Sequence, residues 1–259
     1  MSNDNQEEIA LVEPRFVDSL DDCFFYHTMT LPQFGEVHAH WDLRGRFNEY
    51  IGGVNLEGKS VIDVGTATGF LSFEAEKTGA ARVLSFDMAH ASQQTFLPFI
   101  EKFATRDPEK HNLEVERWKN AYWLCHRLLG SKAEVFYGDI FNLPQELGPF
   151  DVAIIGSVLE HLNDQITALA SISRLTRETI VVVTPLLESE DRIAHFEGSS
   201  DRPENDFTWW TYSAGIYREV FRMLGFEIKS ISPGEYFYDY GQRFEKRYTI
   251  VANRVSEMP

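Results

Sequence analysis

Four successive short apolar runs end on Gly, Asp or Ser, and amphipathic stretches separate them. Ser60–Val64 reads as a strand, Gly65-Thr66-Ala67-Thr68-Gly69 as a turn, and Phe70–Lys77 as a helix with Phe70, Leu71, Phe73 and Ala75 on its apolar faces. Arg82–Phe86 is a strand ending at Asp87, Ala133–Tyr137 a strand followed by Gly138-Asp139, and Asp151–Ile155 a strand followed by Gly156-Ser157. Helical patterns cover Gln94–Phe103, Leu113–Leu129, Asp164–Leu175 and Ala214–Leu224, the last closed by Gly225. Thr179–Val183 is largely β-branched, which favours a strand, and Glu227–Ile231 with Arg247–Ala252 form a closing strand pair. Strands spaced by helices leave one solution: a mostly parallel sheet with helices on both faces, a Rossmann-like α/β fold. Residues 51–259 are read as that domain, and residues 1–50 as an N-terminal cap or lid extension broken into turns by Pro32 and Gly35.

In open α/β sheets a ligand sits beyond the carboxyl ends of the strands. There the sequence gathers Asp63, Gly65, Thr66 and Gly69 at the first strand, Asp87 and Met88 at the second, Asp139 and Ile140 at the third, and Ser157 at the fourth. Asp87, about 24 residues after Asp63, is placed to accept hydrogen bonds from ribose hydroxyls. The glycines are read as letting the chain turn and a ligand approach the backbone. A dinucleotide fingerprint is GxGxxG and delivers a pyrophosphate to a helix N-terminus. Here the turn is GxxxG behind Asp63, whose carboxylate repels pyrophosphate and suits an ammonium. S-adenosyl-L-methionine (SAM), with a sulfonium, an α-amino group, a ribose and an adenine, has that character.

Composition narrows the partners. Forty acidic against 24 basic residues give the 259-residue chain a formal charge of −16, which disfavours nucleic acid. No apolar run approaches the roughly 20 residues of a membrane span. Cys23 and Cys125 form neither a disulfide framework nor a CxxC metal site, and no metal is expected. A cytoplasmic setting follows as the expectation, with the oligomeric state open and a dimer among the options.

Val61–Gly69 resembles the first motif of class I SAM-dependent methyltransferases, Ser85–Met88 the second, Tyr137–Ile140 the third and Phe150–Leu162 the fourth. The resemblance implies a sheet of seven strands with the last antiparallel. It implies that Asp63, Gly65, Thr66 and Gly69 line the methionine end, that Asp87 holds the ribose, that Met88, Asp139 and Ile140 frame the adenine, and that Ser157 lies near the sulfonium. Ala67 stands where the middle glycine of GxGxG is usual. More narrowly, Tyr26-His27, Trp41, the Leu56–Lys59 lead-in and Trp209-Trp210 before an amphipathic helix resemble the tRNA wobble-uridine carboxymethyltransferase family. Two departures point away from its carboxy-SAM donor. Glu160 replaces a Tyr that helps hold the donor carboxylate, and no Lys occurs between Phe24 and Trp41.

The expected activity is methyl transfer from SAM to a small molecule, with oxygen the first choice of acceptor atom and S-adenosyl-L-homocysteine (SAH) the product. The alternatives are a tRNA-modifying enzyme and a catalytically silent SAM-binding protein. SAM is already activated, so the protein's task is alignment, with a general base where the acceptor is a hydroxyl. His161 is the first candidate base and Glu160 the second; each has a bland counterpart, a helix-terminus contact or a surface acid. Tyr26, Trp41, Arg44, Trp209 and Trp210 are the candidate acceptor residues, weighed against packing for the tryptophans and a surface salt bridge for Arg44.

Overall fold

A computed structural model describes residues 10–94, 107–199 and 207–258. In chain order it contains β1 (Met29–Leu31), β2 (Gly35–Val37), β3 (Trp41–Asp42), α1 (Phe47–Tyr50), β4 (Ser60–Val64), α2 (Phe70–Lys77), β5 (Arg82–Met88), α3 (Pro108–Leu129), β6 (Glu134–Gly138) and β7 (Phe150–Gly156). There follow α4 (Gln165–Ser173), β8 (Thr176–Thr184), β9 (Ala194–Phe196), β10 (Trp210–Tyr212), α5 (Ala214–Met223), β11 (Phe226–Tyr238) and β12 (Arg243–Arg254). The main sheet has eight strands in the order β3-β11-β12-β8-β7-β4-β5-β6. Neighbouring strands from β8 to β6 are parallel, while β12 runs antiparallel to both β8 and β11. The eighth strand is β3, two residues paired to Phe237 and Tyr238.

Because side chains alternate along a strand, the central strands serve two cores. Val61, Val83, Val152, Ile154, Val181 and Val183 face α2, α3 and the N-terminal segment. Ile62, Val64, Leu84, Phe86, Ala153, Ile155, Ile180 and Val182 face α4 and α5. A one-residue slip in β4 would carry Asp63 from one core to the other, so its register is firmly specified.

Several boundaries differ from the sequence reading. Helix α3 begins at Pro108, with the Asp107 carboxylate accepting from Glu109 N–H at 3.0 Å, well ahead of Leu113. Its first turn is polar, so the apolar stripe appears only later. The expected helix at 94–103 falls, beyond Gln94, outside the described residues. Gly45–Leu56, which in sequence reads as a short helix running into a loop, forms a single helical turn at Phe47–Tyr50. The closing hairpin is longer than its apolar parts, because its outer half carries alternating charges such as Glu235, Glu245 and Lys246.

The N-terminal segment packs into the same core as α2 and α3 through Val17, Cys23, Met29, Leu31, Trp41 and Leu43. Arg127 on α3 donates to Val17 O at 3.1 and 2.8 Å, and Phe24 N–H donates to Arg117 O at 3.0 Å. A bridge from His27 to Trp41 ties the segment to the β3 end of the sheet. Among the described residues no helix is long and apolar enough to cross a membrane.

Candidate functional site

The strand order reverses between β4 and β7, and the crevice beyond their carboxyl ends is the topological switch point of the sheet. The 65–69 turn sits at its edge. Gly65 N–H and Thr66 N–H both donate to Phe86 O, at 2.8 and 3.0 Å, and Gly69 N–H donates back to Thr66 O at 2.8 Å. Gly65 and Gly69 have φ of +79° and +87°. Added Cβ atoms would lie 2.3 Å from Val158 Cγ2 and 2.4 Å from the Phe73 ring. Both glycines let the chain turn, as the sequence reading expects, and their missing Cβ atoms also make room for Val158 and Phe73. Ala67 also occupies the left-handed region, at φ +48°, as its place in a glycine-type turn demands.

Asp87 closes the turn. Its Oδ2 accepts from Ala67 N–H and its Oδ1 from Met88 N–H, each at 2.7 Å. Each oxygen retains a lone pair for a ribose hydroxyl. Burial raises its pKa, against the pull of those N–H donors and of Lys119. Lys119 is itself nearly buried and donates to Ala89 O at 2.7 Å. Met88 pairs with Gly138, which brings Met88, Asp139 and Ile140 to one rim. Asp139 is exposed there and accepts from Phe141 N–H at 3.0 Å.

Asp63 is fully buried and does not line an open surface, contrary to the sequence reading. Ser72 Oγ donates to its Oδ2 at 2.7 Å and lies 2.6 Å from Ser85 Oγ, which in turn meets Tyr122 Oη at 2.8 Å. Its Oδ1 is buried without a partner. Burial pushes the carboxyl up to about 6, with Asp87 adding to the rise and Ser72 and Thr66 opposing it. A half-satisfied buried carboxylate beneath the turn favours a cation above it. The region thus fits the aminoacyl end and ribose of SAM, and no lysine or arginine of the turn marks it for a pyrophosphate.

Beside the turn lies a cleft of about 270 Å³ of empty space, partly open to solvent. Tyr26, His27, Trp41, Leu43, Tyr50, Gly156, Ser157, Tyr236 and Arg247 line it. Ser157 arrives from β7 at φ +52°, with its Oγ 3.4 Å from Tyr50 Oη. His27 N–H donates to Thr68 Oγ1 at 3.2 Å, and its Nδ1 lies 3.4 Å from the same oxygen. Burial drives the His27 pKa down to about 3, so the ring is neutral at physiological pH. Burial pushes the Tyr26 phenol up to about 12, with Glu160 adding to the rise.

Of the five expected acceptor residues, Tyr26 and Trp41 line this cleft. Arg44 does not: it is held by Glu36 and Asp42, each at 2.8 Å. Trp209 is buried, its backbone N–H donating to Glu160 O at 2.9 Å, and Trp210 packs on Phe196 across the β9–β10 pair at 4.9 Å. His161 is also absent from the lining; its Nδ1 bonds Phe207 O at 2.7 Å, which anchors the 207–210 segment. Glu160 lies buried behind the wall, 3.4 Å from Thr184 Oγ1, and is not a surface acid.

The sequence reading missed His27, Tyr50, Tyr236 and Arg247 as cleft residues. His27 lies one place from Tyr26, which was chosen. Arg247 sits beside Lys246 in a short basic run, and strand alternation turns such neighbours to opposite faces. Its guanidinium stacks on Trp41 at 5.0 Å, its Nη2 pairs with Glu245 at 3.0 Å, and its Nε is buried without a hydrogen-bond partner.

Comparison with known proteins agrees with this architecture. The ribosomal protein L11 methyltransferase of Desulforamulus reducens is 39% identical over 59 residues, 23% of this chain and 19% of that protein's length. A SAM-dependent methyltransferase from Mesorhizobium loti superposes with a TM-score of 0.52 at 15% identity, covering 82% of this chain and 100% of the other. Magnesium protoporphyrin IX methyltransferase from Synechocystis PCC 6803, solved with bound SAH, gives 0.53 at 15% identity over 80% of each chain. At such identity these structures share the fold. A family model described as a methyltransferase domain matches residues 41–231, which span the turn, the strand ends and most of the cleft; the chain belongs to that methyltransferase family.

Proposed function

We propose that the protein transfers a methyl group from SAM to the oxygen of a small-molecule acceptor bound in the Tyr26–Arg247 cleft. The observation that carries this reading is the juxtaposition of that aromatic cleft with the 65–69 turn at the switch point of the sheet. When bound, SAM supplies an activated methyl on a sulfonium. Asp87 would take the ribose hydroxyls, Met88, Asp139 and Ile140 the adenine, and the turn over Asp63 the aminoacyl end. Ser157 would lie at the sulfonium. Tyr26, Trp41, Tyr50 and Tyr236 would exclude water and hold the acceptor in line, which is the main source of acceleration for an already activated donor. The segment 10–50 acts in this reading as a cap over the acceptor end. Aromatic walls suit a small planar or apolar acceptor better than a folded RNA. The buried free thiols Cys23 and Cys125 support a reducing, cytoplasmic setting.

One observation favours a second reading. Arg247 places a cation in the cleft that the absence of a lysine upstream of Trp41 had argued against. A donor carrying an extra carboxylate, carboxy-SAM, would find a partner there, although Glu160 behind the wall opposes it. Calorimetric titration with SAM and with carboxy-SAM separates the two. Tighter SAM binding supports the proposal, tighter carboxy-SAM binding supports the second reading, and binding of neither refutes both.

A further inference from the structure

We propose that the acceptor is a hydroxyaromatic acid, its carboxylate held by Arg247 and its hydroxyl aimed at the donor by His27. The inference rests on the donor assignment above and extends it to the acceptor's chemical class. Three features of the cleft carry it. Its walls are aromatic: Tyr50 and Tyr236 meet edge to face at 4.9 Å, and Trp41 lies under the Arg247 guanidinium at 5.0 Å. Flat aromatic walls of this kind suit a planar acceptor.

The polar groups differ in kind. Arg247 Nη1 and Nη2 are occupied by Lys246 O and Glu245, while its buried Nε donor has no partner. A buried N–H left unmade is costly, and an acceptor oxygen there would satisfy it with a charge-assisted bond. His27 is uncharged and is fastened to Thr68 of the donor-side turn. In the tautomer that donates Nδ1–H to Thr68 Oγ1, its Nε2 accepts a hydrogen bond. A cation that selects an anion thus comes from β12, and a neutral acceptor that selects a hydroxyl comes from the donor side. The anion belongs at Arg247 and the nucleophilic oxygen at His27.

The step balances on these groups. A carbon–oxygen bond forms between the acceptor oxygen and the methyl carbon as the carbon–sulfur bond breaks, with its electron pair staying on sulfur. The hydroxyl proton passes to His27 Nε2 and then to solvent. Even a weakly basic imidazole suffices, because the protonated ether is a far stronger acid than imidazolium. His27 therefore aligns the hydroxyl without ionising it in advance.

The probes are 4-hydroxybenzoate, phenol and benzoate, titrated calorimetrically into the full chain saturated with SAH. The wild-type complex should bind 4-hydroxybenzoate about tenfold or more tighter than phenol, the fold-change of one charge-assisted hydrogen bond. Arg247→Gln should erase that difference while SAH affinity is kept. His27→Asn should weaken 4-hydroxybenzoate about two- to tenfold and leave benzoate unchanged. With SAM, chromatography with tandem mass spectrometry against authentic 4-methoxybenzoate and its isomer methyl 4-hydroxybenzoate should find the methoxy acid. Equal wild-type affinity for phenol and 4-hydroxybenzoate, no binding of either to the SAH complex, or a methyl ester as product would each overturn the proposal. Failure of SAH itself to bind would instead strike the donor assignment on which it rests.

Discussion

Replacing Asp63 by Asn removes one ionisation from the interior while keeping the side chain's shape. In the folded protein burial pushes this carboxyl from its ordinary 3.8 up to about 6. Between those values the folded state binds the proton that the unfolded state has released. The stabilisation this provides is present in full below about pH 3.8 and is lost as pH rises through about 6. A displacement of about two pH units corresponds to about 3 kcal/mol, of which about 1 kcal/mol falls between pH 5 and 8. The Asn variant carries no such dependence. Its stability relative to wild type should therefore climb by about 1 kcal/mol over that window. The offset between the two proteins is set separately, by how well the new amide is bonded. Urea denaturation of both proteins at pH 5, 6, 7 and 8 measures the difference, in which titrating groups that do not interact with Asp63 cancel, while the coupled Asp87 does not. A flat difference would refute the claim that Asp63 is ionised against its surroundings. The same argument gives a ligand readout. A bound ammonium above the turn favours the ionised carboxylate, so SAH affinity should fall from pH 7 to pH 5 in wild type and stay level in Asp63→Asn.

Three further outcomes follow from the site. Ala67→Gly should stabilise the protein by about 0.5–1 kcal/mol, because a left-handed residue loses its Cβ penalty against some added chain entropy; an unchanged thermal midpoint would mean the φ of +48° carries no strain. Asp87→Ala removes the acceptor of Ala67 and Met88 N–H and of the ribose together, so SAH affinity measured by calorimetry should drop about ten- to hundredfold. His161→Ala should cost about 1 kcal/mol through the lost Phe207 contact and leave SAH affinity intact; a large loss of turnover with native stability would restore His161 as a base.

The strand-end turn, where we propose the donor binds, was legible as structure because its parts are local. Each strand end carries its Gly or Asp within a few residues of an apolar run, and parallel pairing lines up those ends almost by itself. The acceptor half was not. Tyr26, Tyr50, Ser157 and Arg247 are brought together across the whole chain by pairings of β3 and β12 that no short window contains. Charge misled as well: Arg44 and Arg247 look alike in sequence, yet one is held by two surface carboxylates and the other keeps a free donor in a cleft. Trp209 and Trp210 drew attention as large rings after β8, and their size served the hairpin and the interior instead.

Apart from Gly156 and Ser157, the cleft is made from residues 26–50 at one end of the sequence and 236–247 at the other, whereas Asp63, Asp87 and the turn between them need only the middle strands. During synthesis the ribosome releases the N-terminal parts first, at about 5–20 residues per second. The nucleoside-binding half can therefore assemble on the nascent chain while the wall bearing Tyr236 and Arg247 is still untranslated. A chain stalled before β11 would present its N-terminal aromatics with no opposite wall, exposing Tyr26 and Trp41 to the chaperones that survey emerging polypeptides.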